Sequence, residues 1–163
     1  MNEAEVWMAA FSETGTNDFG GAVMDKTSSC NCGSDDPVTA IFACAGQSNV
    51  GQISNEAAIA LADTGRGTYA CTAGIAANIS GIMTSAREAG EVIVIDGCPQ
   101  ECANKIVRNA GITPGQYIVV TEIGIQKGPR SLRNPDDIDR VVREVEARQQ
   151  AGNGKTPSGC GCR

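Results

Sequence analysis

The chain has 163 residues, enough for one domain with a sizeable core plus tails. Its net charge of −6 argues against nucleic acid or an anionic membrane as a partner. No apolar run approaches the ~20 residues that span a bilayer, and the amino terminus, with Glu3 and Glu5, lacks the basic-then-apolar order of a secretory signal, so a cytoplasmic protein is expected.

The first 38 residues are polar and Gly-rich between Ser12 and Gly21 and again between Ser28 and Pro37. They read as a flexible tail, with a short helix over 4–11 and a Cys30-Asn31-Cys32 pair. The domain itself is expected over 39–150, where short apolar runs alternate with helical patterns, the mark of successive βαβ units. A first strand over 39–43 is followed by a helix over 53–63, capped by Ser54 and closed by Gly65. A second strand at 68–71 precedes a helix over 79–89 that ends at Gly90, with Ile79, Ile82 and Met83 facing the core. A third strand at 92–95 leads to a helix that opens at Pro99, a favoured first helical residue, and stops at Gly111. The fourth strand covers 117–121. The last helix, over 135–149, takes Asn134 as its cap and places Ile138, Val141, Val142 and Val145 on one face. Residues 151–163 read as a second flexible tail that carries Cys160-Gly161-Cys162.

Four strands of near-continuous apolar character predict a mostly parallel sheet with helices on both faces, a three-layer α/β fold of flavodoxin-like or Rossmann-like type. The expected strand order is 2-1-3-4, with 3-2-1-4 as the rival; either keeps the first three strands side by side. Aromatics make up only 4% of the chain, so the core between the layers must be built from Ile, Val, Leu and Ala.

The chain holds eight cysteines and no histidine. In a cytoplasmic protein that balance favours metal binding or redox chemistry over a disulfide framework. Cys44, Cys71 and Cys98 each follow a predicted strand, at the sheet edge where open α/β folds form their sites. Adjacent strands lie about 4.8 Å apart, and Zn–S bonds of about 2.3 Å place sulfurs roughly 3.8 Å from one another. Three such thiolates can converge on one ion. Cys102 closes the shell if Cys98 starts the third helix, because residues four apart share a helix face. A helix amino end also favours the thiolate form, and backbone N–H groups of Gly46, Gly74 and Gly97 are placed to offset the surplus negative charge of four thiolates. Zinc suits four sulfur donors and is the expected ion.

Other readings use the same residues. Each cysteine taken alone can be a small buried apolar side chain. The same four thiolates suit an iron–sulfur cluster. A thiol enzyme of sulfur-transfer or redox type would use Cys98 as its nucleophile. A Cys98–Cys102 redox pair lacks the Cys-x-x-Cys spacing. A tyrosine-phosphatase loop is excluded, because the phosphate-binding Arg that it needs six residues after its cysteine is Val50 here.

The runs Phe42-Ala43-Cys44-Ala45-Gly46-Gln47-Ser48-Asn49-Val50-Gly51, Cys71-Thr72-Ala73-Gly74-Ile75 and Ile95-Asp96-Gly97-Cys98-Pro99 resemble those of the DGC-domain proteins, a family described as zinc-binding. The resemblance extends from about Thr39 to Gly128 and includes Val120-Thr121-Glu122-Ile123-Gly124 and Lys127-Gly128. It implies that Cys44, Cys71, Cys98 and Cys102 are the zinc ligands, and it supplies no reaction. The Cys30/Cys32 and Cys160/Cys162 pairs are candidate auxiliary metal or redox thiols, suited to delivering metal or sulfur to the central site.

Asp96 and Gly97 are candidate groups just outside the ligands. Asp96 is best explained as a helix-capping or turn carboxylate, and Ser48 and Asn49 as turn residues. Glu122 ends the fourth strand near the same edge. Arg130, Arg133 and Arg140, with Asp136, Asp137 and Asp139, read as a solvated surface of mixed charge. The sequence names no protein partner, oligomeric state or substrate.

Overall fold

A computed structural model describes residues 38–152. Both expected tails, with Cys30, Cys32, Cys160 and Cys162, lie outside the described residues apart from Val38, Ala151 and Gly152. Strands β1 (Thr39–Ala43), β2 (Thr68–Tyr69), β3 (Glu91–Asp96) and β4 (Gln116–Val119) form one sheet. All three pairings are parallel and the order is β2-β1-β3-β4, the expected 2-1-3-4 rather than its rival.

Side chains alternate across the sheet. Ile41, Ala43, Ile93, Ile95 and Ile118 point to one face, where they meet helix α1 (Asn49–Asp63) through Val50, Ile53, Ala57 and Leu61, and helix α5 (Pro135–Gly152) through Val141 and Val145. Ala40, Phe42, Val92 and Val94 point to the other, under helix α2 (Thr72–Ala76), helix α3 (Ser80–Glu88) and helix α4 (Cys102–Asn109), whose Ile75, Met83, Ala103 and Val107 complete that layer. Burial on both faces is why the strands read as continuous apolar runs. Asn134 caps α5, its Oδ1 accepting from the Asp137 N–H at 2.9 Å. No helix among the described residues is long and apolar enough to cross a membrane.

Several local expectations need correction. α1 starts at Asn49, not at Ile53; Ser48 is its cap, accepting from the Gly51 N–H at 3.4 Å. Ser54 is instead fully buried inside the helix and donates to the Cys44 and Gly51 carbonyls at 2.6 and 2.8 Å. The short helix α2 directly after β2 has no counterpart among the expected elements. α4 opens at Cys102, not at Pro99, because Glu101 before it adopts the left-handed conformation (φ 56°) and breaks the turn. Residues Val120–Ile123 form a 3-10 turn rather than the end of β4. Ile79 is half exposed, so only Met83 of the expected apolar face is fully in the core.

Candidate functional site

The site forms where two loops leave the carboxyl ends of the central strands. β1 ends at Ala43, and Cys44 continues its ladder, its N–H donating to the Ile95 carbonyl at 2.9 Å. The loop from Ala45 to Ser48 then turns into α1. β3 ends at Asp96, and the loop from Gly97 to Glu101 turns into α4. The two loops touch backbone to backbone. A Cβ on Gly51 would lie 2.6 Å from the Gly46 carbonyl oxygen, and one on Gly97 would lie 2.8 Å from the Gly51 nitrogen. Only glycine permits this approach, and it sets Cys44 and Cys98 on one cleft.

That cleft, of about 610 Å³, is lined by Cys44, Cys98 and Cys102 together with Ser48, Lys127 and Arg130. Cys44 is half-buried, and burial is the main reason its thiol is pushed above its ordinary value. The N–H groups of Gly46 and Gly97 point at its sulfur and favour the thiolate; the nearby Asp96 and Cys102 oppose it. Burial prevails, so in metal-free protein Cys44 should be alkylated by iodoacetamide more slowly at pH 8 than exposed Cys71 or Cys102, and its own rate should rise as the pH is raised. Peptide mapping of a labelling time course checks the order.

Cys98 lies in the turn before α4, and Cys102 is the first residue of that helix. The one-turn relation expected between them is therefore absent: the pair is joined by a turn, not by a helix face. The Lys127 Nζ donates to the Cys98 sulfur at 3.4 Å. Lys127 is held there by Asn49, which is 3% exposed. The Asn49 Nδ2 donates to the Gln126 carbonyl at 2.9 Å, its Oδ1 accepts from the Gly128 N–H at 2.6 Å, and its own N–H donates to the Gly128 carbonyl at 3.1 Å. Sequence reasoning treats Asn49 as a turn residue and Arg130 as plain surface. Neither role has a local signal, because the contacts join segments some 80 residues apart.

Cys71 sits elsewhere. It caps α2, with its sulfur accepting from the Gly74 N–H at 3.3 Å, and lines a groove of about 650 Å³ beside Tyr69, Ala70 and Ile82. Among the described residues no cluster of three or more cysteine and carboxylate groups is drawn together tightly enough to hold an ion. The donor chemistry of the cleft still fits a thiophilic ion: three soft sulfurs line it, with N–H groups aimed at one and an ammonium at another. Holding an ion would require these sulfurs to draw closer together.

Asp96 is buried at 1% exposure and accepts from the Ala103 and Asn104 N–H groups, both at 2.9 Å, so it caps α4 from the end of β3. The Tyr117 hydroxyl is buried beside this carboxylate without a well-formed hydrogen bond to it. Glu122 is exposed in the 3-10 turn, outside the cleft lining.

The family model that matches this chain is the DGC domain, over residues 40–145. A curated relative, the anaerobic and virulence modulator AnvM of Pseudomonas aeruginosa, is 28% identical over 112 residues, which cover 69% of this chain and 86% of that protein. No solved structure matches the chain significantly.

Proposed function

This chain belongs to the DGC-domain family, and on that premise we propose that it is a metal-handling protein that binds a thiophilic ion, zinc first, through cysteine thiolates at the carboxyl edge of its sheet. The observation that carries the reading is the cleft shared by Cys44, Cys98 and Cys102. Cys71, the fourth expected ligand, would have to leave its groove to join them. Zinc bound there supplies a cation that holds thiolates together without redox chemistry of its own. The chain's residues position the sulfurs: the Gly46 and Gly97 N–H groups support Cys44 as a thiolate, Lys127 offsets charge at Cys98, and Asp96 fixes the helix that starts at Cys102. Because ligands must lose protons to bind, affinity should rise with pH through the range where Cys44 ionises.

Elemental analysis and an absorption spectrum of anaerobically purified protein test this. Near-stoichiometric zinc in a colourless protein, lost in a Cys44→Ser/Cys98→Ser variant, is the expected result. Iron with visible absorption would point to a cluster on the same thiols. Metal absent from both proteins would sink the metal reading. It would favour thiol chemistry at Cys98, the reading that the Lys127 contact supports.

A further inference from the structure

The cleft has a charge balance opposite to that of the chain. The protein carries 13 Lys and Arg against 19 Asp and Glu, yet Lys127 and Arg130 line the cleft and no carboxylate does. The nearby Asp96 is buried, and its two oxygens accept from the Ala103 and Asn104 N–H groups. Neither cation takes part in a salt bridge among the described residues. Lys127 is placed by the fold itself, since a buried asparagine makes hydrogen bonds on both sides of it. Its ammonium stands 3.4 Å from the Cys98 sulfur. The cleft also has the position of a ligand site. β1 and β3 send α1 and α4 to opposite faces of the sheet, so their shared edge is the switch point where open α/β folds bind small molecules. Its volume of about 610 Å³ suits such a ligand. The groove of Cys71 is the opposite case, lined by the Glu88 carboxylate and by no cation.

We propose that Cys98 undergoes thiol–disulfide exchange with small anionic disulfides, whose carboxylate Lys127 and Arg130 hold beside the attacking sulfur. The exchange goes beyond the metal reading and does not depend on it, since it uses Cys98 with no ion bound. The Cys98 thiolate attacks one sulfur of the disulfide. A bond forms between those two sulfurs, and the S–S bond of the small molecule breaks. Its electron pair leaves with the second sulfur as a thiolate, which takes up the proton that Cys98 released. Cys98 is thereby oxidised to a mixed disulfide, and the departing half is reduced to a thiol. A thiolate and an anionic disulfide repel each other in water. Two cations at the point of approach offset that repulsion and select anionic disulfides over neutral ones. Among the thiols of the cleft, Cys98 takes this role because Lys127 touches it.

The test uses the full chain, reduced and stripped of metal with a chelator. It is treated separately with disulfides of similar length and different charge: anionic 3,3′-dithiodipropionate, neutral 2-hydroxyethyl disulfide and cationic cystamine. Peptide mass spectrometry of acid-quenched samples gives the initial loss of free thiol at each cysteine, with Cys71 as the internal reference. The Cys98-to-Cys71 rate ratio should be about fivefold higher with the anionic disulfide than with the neutral one, since two exposed charge pairs are each modest. It should be lower again with cystamine. Salt at about 1 M should shrink the preference. In a Lys127→Met/Arg130→Met variant the preference should fall to about twofold or less. A Lys127→Arg/Arg130→Lys variant keeps both charges and should retain it. The ratio is taken within one protein, so it cancels the intrinsic reactivity of each disulfide. A wild-type ratio that ignores charge, or a preference that survives in the Met variant, would overturn the proposal. So would a preference lost in the charge-keeping variant, or one carried by Cys44 or Cys102 in place of Cys98.

Discussion

Gly97→Ala and Gly51→Ala proteins should each lose about 3 kcal/mol of stability to denaturant, and should retain the proposed ion poorly even where they stay folded. At both positions the added methyl meets backbone, not a flexible side chain. On Gly51 it falls 2.6 Å from the Gly46 carbonyl oxygen, and on Gly97 it falls 2.8 Å from the Gly51 nitrogen and the Val50 carbonyl carbon. Backbone cannot rotate away, so the β1–α1 and β3–α4 loops must move apart. Those loops carry Cys44 and Cys98, and separating them opens the cleft. Gly81→Ala is the control: nothing lies within 4 Å of its Cβ, and alanine in α3 should be neutral or stabilise by up to about 1 kcal/mol. Urea unfolding of the three variants, with metal content measured beside it, checks the pattern. Equal stability for Gly97→Ala and Gly81→Ala would mean that the close approach of the loops is not rigid.

The sheet is legible in the sequence because its strands carry their burial in their composition. Ile41-Phe42-Ala43 and Val92-Ile93-Val94-Ile95 are buried on both faces. Between helical patterns, so short and continuous an apolar run marks a strand covered on both sides. The expected bounds of β1 match to the residue. The helix starts differ from expectation where a local signal competes with a tertiary one. Ser54 looks like a cap, but the chain turns at Ser48 because Gly51 allows α1 to begin against the Gly46 backbone. Pro99 looks like a first helical residue, but it occupies a turn, and left-handed Glu101 delays α4 to Cys102. The candidate site is legible in part for the same reason. Strand-end logic points to Cys44 and Cys98, and the structure sets both on one cleft with Cys102. It cannot foresee that a residue following a two-residue edge strand will cap a five-residue helix and turn its thiol into a separate groove, as Cys71 does. Nor does any local pattern announce that Asn49 will reach across to Gln126 and Gly128 and bring Lys127 to the cleft.

Asp96→Ala should lower stability by about 3 kcal/mol, a fall in Tm of roughly 10 °C, and should displace Cys102. The reason lies in how α4 begins. The residue in the capping position, Glu101, makes no side-chain capping bond, so the first free N–H groups of the helix need another acceptor. Asp96 supplies it from the last position of β3, with one carboxylate oxygen on the Ala103 N–H and the other on the Asn104 N–H, all of it buried. Removing the carboxylate strands two buried donors, each costing about 1–3 kcal/mol. It also cuts the tie that fixes both ends of the loop bearing Cys98, so retention of the proposed ion should fall with stability. Asp96→Asn keeps the volume and one acceptor and should lose less. The two proteins also part on pH. Burial raises the Asp96 carboxyl above its ordinary value of 3.8, outweighing the two hydrogen bonds that lower it. A folded value above the unfolded one means that the protonated form is the better tolerated in the fold. Its contribution is therefore complete below about pH 3.8 and is lost as the pH climbs through the raised value. Wild-type stability relative to Asp96→Asn should then decline with rising pH across that window. A difference between the two proteins that stays flat with pH would mean that Asp96 is held by its two N–H donors as firmly as burial opposes it.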